Sequence, residues 1–318
     1  MGSIKNFLPK FNLVEESKQY KYSFTIFVPV YNAEQTIYRV FDALDKQTFK
    51  DFEVVIINDA STDNSHSVIE DYLKKVDYPV RYINNNINTH KMSIMHQAIH
   101  MAEGELFLIH DADDSCLPST LQVFYDEFNQ IPTEKRGEFS GVSCCCVDQY
   151  DKLVGNEFPS SPFYSNAFEC QLYHNIFGEK WGVTKTSLLK NIKIKDEIFS
   201  KGFIPESFLW LTLSSQNYKI KYINDRLRIY YVNESEDNLS SLSFSKKAFG
   251  MAVYSLMFIN FFYRNHLLKK PFLFVKRTIS LLKSSKYLKY NLSNYVKSID
   301  SYLMKFVFII FWPIRRYI

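Results

Sequence analysis

The chain has 318 residues, 46% of them apolar and 23% charged, and a formal net charge of +4, enough for one large domain or for a domain with an appendage. Only 9 glycines argue against a collagen-like or flexible-linker architecture, and no run approaches the ~18 apolar residues of a membrane span. The charge is uneven: residues 244–318 hold 14 Lys and Arg against one acid, Asp300, so the remainder is net acidic and the two parts are expected to do different jobs.

Residues 1–22 are polar and irregular and read as a surface arm. "FTIFVPV" (24–30) reads as a buried strand, and "EQTIYRVFDALDKQ" (34–47) places Ile37, Val40, Phe41 and Leu44 on one helical face. "FEVVIIN" (52–58) is a second strand, followed by the turn-rich "DASTDNS" and a helix to about residue 75. The strand "VRYI" (80–83), a helix from about 90 to 102 and the strand "ELFLIH" (105–110) complete the series. Apolar strands alternating with helices predict a doubly wound α/β unit, whose ligands bind beyond the carboxyl ends of its strands. From 138 the order becomes mixed. A strand at "FSGVSCCCV" precedes helices near 166–177, at "TSLLKN" and at "ESFLWLTLSSQ", then strands at "KIKYIN" and "RLRIYYV". Cys144, Cys145 and Cys146 are consecutive, so in a strand they cannot point to one metal; buried apolar roles are expected for them. No secretory signal is read in the opening residues, and the expected compartment is a reducing cytoplasm. Beyond 244 the pattern is helical, basic and aromatic. The expected fold class is α/β with a mixed, doubly wound sheet over 23–243, in halves 23–120 and 121–243, followed by a helical extension over 244–318.

Chemistry concentrates at two strand ends. Neither a G-x-G-x-x-G nor a P-loop is present, so a bound diphosphate would need another means of neutralisation. In "HDADD" (110–114), Asp111 and Asp113 are two apart beyond an apolar strand and share a side. Mg²⁺ or Mn²⁺ prefers hard oxygen ligands and commonly takes one or two carboxylates plus substrate phosphates, which would relieve the repulsion between these acids. The alternative is a solvated turn in which Asp114 or Ser115 caps the next helix. Asp59, in "NDASTD" (58–63), is placed to accept the imide N–H of uracil. Its alternative, shared with Asp63, is to cap the following helix.

These residues carry a resemblance. "FTIFVPVYNAEQTIYRVFDAL", "FEVVIINDASTDNS" and "AEGELFLIHDADD" resemble the nucleotide-sugar domain of family 2 glycosyltransferases, with the GT-A fold, and the likeness extends more loosely through 178–190 and 204–241. The resemblance implies that Asp59 contacts uracil, that Asp111, Ala112 and Asp113 engage the ribose, the diphosphate and its Mn²⁺ or Mg²⁺, and that Pro29, Val30 and Tyr31 line the nucleoside pocket. "THKMS" (89–93) resembles a Lys-containing variant and makes Lys91 a candidate diphosphate contact. Where the family often has Gly, this chain has Ala60, so the turn is expected to avoid the positive φ that Gly permits. Glu206 in "FIPESFLW" aligns with a later acidic motif and is the expected base that deprotonates the acceptor hydroxyl; its alternative is a first-turn acid answering the helix dipole.

The expected function is a metal-dependent, inverting glycosyltransferase of the hexosyltransferase type. It would use a UDP-sugar and a glycan or lipid-linked acceptor in bacterial surface polysaccharide synthesis. The rivals are a non-catalytic nucleotide-sugar-binding or membrane scaffold protein and a sugar-phosphate nucleotidyltransferase. Asp148 and Trp181 are secondary acceptor-site candidates, while His110 and His174 are expected to be core or cleft residues. The basic aromatic extension fits an anionic membrane surface, on the inner face of the plasma membrane, better than nucleic acid, which is not expected as a partner.

Overall fold

The computed structural model describes residues 3–14, 19–232 and 243–317. Parts of two stretches used above, the arm at 1–2 and 15–18 and the motif region at 233–242, lie outside the described residues. The chain forms two compact units: Leu13–Asn191 with Asn217–Glu234, and Met1–Asn12 with Ile192–Gln216 and Ser235–Ile318. This division does not coincide with boundaries drawn at 22 and 243.

In chain order the strands are β1 (Lys10–Phe11), β2 (Tyr22–Val30), β3 (Phe52–Asn58), β4 (Val80–Asn84), β5 (Gly104–Ile109), β6 (Ser115–Cys116), β7 (Phe139–Asp148), β8 (Phe163–Ser165), β9 (Lys180–Lys185), β10 (Ile192–Lys193) and β11 (Lys219–Tyr230). The helices are α1 (Tyr38–Asp45), α2 (Ser65–Leu73), α3 (Lys91–Met101), α4 (Thr120–Asn129), α5 (Ala167–Tyr173), α6 (Thr186–Lys190), α7 (Ser207–Ser215), α8 (Phe244–His266), α9 (Pro271–Ser285), α10 (Leu292–Ser298) and α11 (Tyr302–Phe311).

The first unit is built on one mixed sheet in the order β4-β3-β2-β5-β9-β7-β11-β6, with β8 also paired to β11. Strands β4, β3, β2 and β5 run parallel, whereas β9 is antiparallel to both β5 and β7. The parallel core follows from the apolar runs: all seven residues of β3 are buried, as are Phe24 to Val28 of β2. Ile37, Val40, Phe41 and Leu44 are buried on one side of the α1 segment, as their spacing predicts. Cys144, Cys145 and Cys146 are fully buried in β7, and the five cysteines are free thiols.

Two features of this sheet depart from expectation. "KWGVTK" is a strand, β9, that no apolar run announces, and it fits only because Gly182 has no side chain: a Cβ there would fall 2.0 Å from the Val142 carbonyl oxygen. The expected pair of strands at 219–232 is one strand, β11, with register shifts against β7 between Tyr222 and Arg226 and again before Arg228.

The second unit joins the N-terminal residues to the C-terminal helices. β1 pairs antiparallel with β10, Ile4 is fully buried, and the Phe7 ring meets Phe249 of α8 edge-on at 5.3 Å. The arm is therefore in part a packed element, because Ile4 is fully enclosed and Phe7 finds an apolar partner 242 residues away in sequence. Helix α8 carries twelve buried residues, and no described helix is long and apolar enough to cross a membrane.

Candidate active site

Strand β2 is flanked by β3 on one side and β5 on the other, so the chain reverses direction of growth across the sheet at β2. In open α/β sheets a crevice opens at such a switch point, beyond the carboxyl ends of the strands. Here those ends are Val30, Asn58 and Ile109, and the segments that follow hold most of the residues expected from the sequence.

Pro29 is half-buried and Val30 buried at the end of β2, while Tyr31 is 51% exposed just beyond it. The Asp59 backbone N–H donates to the Val30 carbonyl at 2.8 Å, which ties the two strand ends together. Its buried carboxylate accepts the Thr89 N–H at 3.0 Å on both oxygens, and Oδ1 also accepts the Thr89 hydroxyl at 3.1 Å and the Asn85 amide at 3.2 Å. Asp59 thus fixes the loop that leads into α3 and does not cap α2. Asp63 serves α2 instead, accepting from the Ser65 N–H (3.0 Å) and hydroxyl (2.6 Å) and from the Glu34 N–H (3.0 Å). An open cleft of about 470 Å³ lies beside this turn, lined by residues including Asn58, Ala60, Thr62, His66 and Asn84.

The turn after β3 corrects one expectation. Ala60 does take positive φ, at +60°, as does Asn32 at +49° after β2. The surrounding hydrogen bonds impose it: Asn58 Oδ1 accepts from the Ser61 N–H (3.3 Å) and hydroxyl, and Ser61 Oγ accepts the Asn32 N–H at 2.9 Å. His90, before α3, has φ +70°. Left-handed backbone in non-glycine residues is costly, and it recurs here at three loops of one sheet edge.

The three aspartates after β5 face cations of the chain itself. Asp111 pairs with Lys91, the first residue of α3, through Oδ1 and with Arg228 of β11 through Oδ2 at 2.7 Å. Burial opposes the charge on Asp111, but Lys91 and Arg228 outweigh it and hold the carboxyl well below the usual carboxylate range. Asp114 is fully enclosed; its Oδ2 accepts from Arg228 Nε at 2.8 Å and from the same guanidinium's terminal nitrogen, and its Oδ1 accepts the Tyr231 N–H at 2.9 Å. Burial pushes Asp114 up, to about 6, against the pull of Arg228. Burial likewise disfavours the Arg228 charge, yet Asp111 and Asp114 keep the guanidinium protonated. Neither Asp114 nor Ser115 caps α4: Ser115 lies in β6, opposite Ile229.

Asp113 differs from its neighbours. Among the described residues no hydrogen bond or ion pair from another residue reaches its carboxylate; its backbone carbonyl accepts from Arg39 at 2.9 Å. Burial first, then the Asp111 charge, raises its pKa. Ala112 is buried between the two acids. No group of three or more His, Cys, Asp or Glu side chains suited to a metal occurs among the described residues. The donor set is one uncommitted carboxylate with Asp111 beside it, which suits a cation completed by substrate phosphates.

Residues 25–169 match the family model "Glycosyl transferase family 2". Over those residues the chain matches a family 2 glycosyltransferase domain. It is 24% identical over 228 residues to the GalNAc(5)-diNAcBac-PP-undecaprenol beta-1,3-glucosyltransferase of Campylobacter jejuni, covering 71% of this chain and 69% of that one. It is 27% identical over 234 residues to the poly(ribitol-phosphate) beta-N-acetylglucosaminyltransferase TarS of Staphylococcus aureus, covering 71% of this chain but 38% of TarS. Among other relatives, it spans 32% of a teichoic acid poly(glycerol phosphate) polymerase of Staphylococcus epidermidis. In structure, it superposes on residues 1–349 of S. aureus TarS in complex with UDP-GlcNAc with a TM-score of 0.55, at 18% identity, covering 92% of this chain and 88% of that one. The fold is therefore the expected GT-A type.

Within the matched residues lie Asp59, Lys91, Asp111, Asp113 and Asp114, while Arg228 and Glu206 fall outside them. Arg228 is the residue that sequence reasoning missed. Its signal was present, an arginine inside an apolar strand, but only pairing with two of the three crowded acids, Asp111 and Asp114, gives that arginine a purpose. Glu206 belongs to the other unit, where it is half-buried and forms the N-cap residue of α7. Asp148 turns inward on its own loop, accepting the Tyr150 and Lys152 N–H groups at 2.9 Å. Trp181 is buried, its indole N–H donating to the Ile109 carbonyl at 2.5 Å, so it supports β5 from within the core. His110 is also buried and is pushed down to about 4 by desolvation, while His174 is exposed, its ring edge-on to Phe163.

Proposed function

We propose that the protein transfers a sugar from a UDP-sugar to a hydroxyl of a lipid-linked or polymeric glycan in bacterial surface glycan synthesis. The observation that carries this reading is the acid cluster at the switch point: Asp111 neutralised by Lys91 and Arg228, with Asp113 left uncommitted beside it. The names of its relatives, a glucosyltransferase acting on an undecaprenol-linked glycan and a transferase acting on poly(ribitol-phosphate), support the acceptor class.

Asp59 retains acceptor capacity on Oδ2, which takes a single bond from the described residues, and accepts the imide N–H of uracil. Pro29, Val30 and Tyr31 form the wall of the nucleoside pocket. Lys91, at the positive end of α3, meets the diphosphate. Asp113, with Asp111, would hold Mn²⁺ or Mg²⁺, which supplies positive charge to the departing diphosphate. Glu206 removes the proton as the acceptor oxygen bonds to the anomeric carbon. The bond from that carbon to the β-phosphate oxygen breaks, UDP leaves with the electron pair, and the configuration inverts.

Incubating the protein with Mn²⁺ and a panel of nucleotide-sugars, with a lipid-linked acceptor present, tests the reading through the nucleoside diphosphate released. UDP release that falls roughly a hundredfold in Asp113→Asn and in Glu206→Gln is expected. UDP-sugar binding without release would identify a non-catalytic binding protein, and pyrophosphate release from UTP and a sugar phosphate would identify a nucleotidyltransferase.

A further inference from the structure

We infer that α11 is a membrane-surface helix whose uncovered face enters the interfacial zone of an anionic bilayer. The helix, "YLMKFVFIIF", has Lys305 as its one charged residue and is otherwise apolar around its circumference, yet its own unit buries only one side of it. Met304 and Phe308, one turn apart, are fully buried, and the Phe308 ring packs against Tyr295 and Trp312. Facing away are Leu303, Phe306, Ile309 and Ile310, which are 44–62% exposed. A helix face meant for water carries polar residues; this one has four large apolar side chains and, at its start, Tyr302.

Both ends of the helix have the chemistry of an interface. Lys305 lies 5.0 Å over the Tyr302 ring, and Arg315 lies 3.9 Å over Trp312, so each cation is carried on an amphipathic ring. Ten residues span roughly 15 Å, half a hydrocarbon core, so the helix lies along the surface and does not cross. A second exposed pair, Leu268 and Phe272, flanks Lys269 and Lys270 at the turn between α8 and α9 of the same unit.

Charge selects the occupant. Residues 244–318 carry 14 basic side chains, and their one acid, Asp300, is already paired with Lys5. A second copy of the chain would bring two such surfaces into mutual repulsion, whereas anionic headgroups complement them, and acyl chains take the apolar side chains. This inference is independent of the donor chemistry, because its readout is lipid binding.

The test is flotation of the full chain with vesicles of phosphatidylcholine alone or of equimolar phosphatidylcholine and phosphatidylglycerol. Binding to the anionic vesicles, weakened by salt, is expected. The double variant Phe306→Ser, Ile310→Ser should bind at least roughly tenfold more weakly, and Lys269→Gln with Lys270→Gln roughly fivefold more weakly per charge removed. Circular dichroism and thermal unfolding unchanged from the parent protein will show that these surface variants remain folded. Absence of flotation, or equal flotation by the parent and the Phe306/Ile310 variant, would overturn the inference. So would a dimer that the same double variant dissociates, or retention on RNA without vesicle binding.

Discussion

Arg228 answers two acids at once, and removing it separates their fates. Arg228→Met leaves Asp114 buried and uncompensated, whereas Asp111 keeps Lys91. A loss of roughly 3–5 kcal/mol in unfolding free energy is expected, with partial recovery in Arg228→Met, Asp114→Leu, measured by denaturant titration. Asp113→Asn should leave stability unchanged or raise it, since it removes a like charge from beside Asp111. Ala60 offers the opposite experiment. With φ at +60° it bears a left-handed strain that glycine does not, so Ala60→Gly should stabilise the fold by about 1 kcal/mol. A loss of stability there would mean that the Ala60 methyl contributes packing larger than the strain.

At the scale of elements, β9 joins the parallel half of the sheet to the mixed half, and its last residue carries a titration. Burial pushes the Lys185 ammonium down to about 8, with Glu105 opposing, while its Nζ donates to the Arg136 carbonyl at 2.7 Å. The folded state therefore releases this proton before the unfolded chain does, near 10.5. Below pH 8 both states are protonated and the folded state bears the whole desolvation cost; between pH 8 and 10.5 the unfolded state binds more protons, so stability rises with pH. The parent protein should gain roughly 3 kcal/mol relative to Lys185→Met across that window, measured by denaturant unfolding at a series of pH values. A flat difference would show that the ammonium keeps its water.

For the whole molecule, the grouping of N-terminal residues with the C-terminal helices makes a prediction that an arm would not. Ile4→Ala should cost about 2–5 kcal/mol in the stability of the helical unit, because a fully buried isoleucine leaves a cavity, whereas in a solvated arm the change would be silent. Hydrogen exchange in α8 and α10 would register the loss locally.

Local pattern was enough for the parallel half of the sheet. Strands buried on both faces must be continuous apolar runs, and β2, β3 and β5 are such runs, so their positions and the polar clusters at their ends could be read directly. Asp59, Asp111 and Asp113 were legible for the same reason: carboxylates directly behind a buried strand stand at its carboxyl end wherever the rest of the chain goes. Tertiary structure decided what those carboxylates meet. Arg228 reaches Asp111 and Asp114 only because β11 lies beside β7 and shifts register before it, and β9 exists only because Gly182 lets a neighbouring backbone approach. Pairing between residues more than a hundred positions apart leaves no periodic trace in either segment, since periodicity records which face is buried and not what buries it.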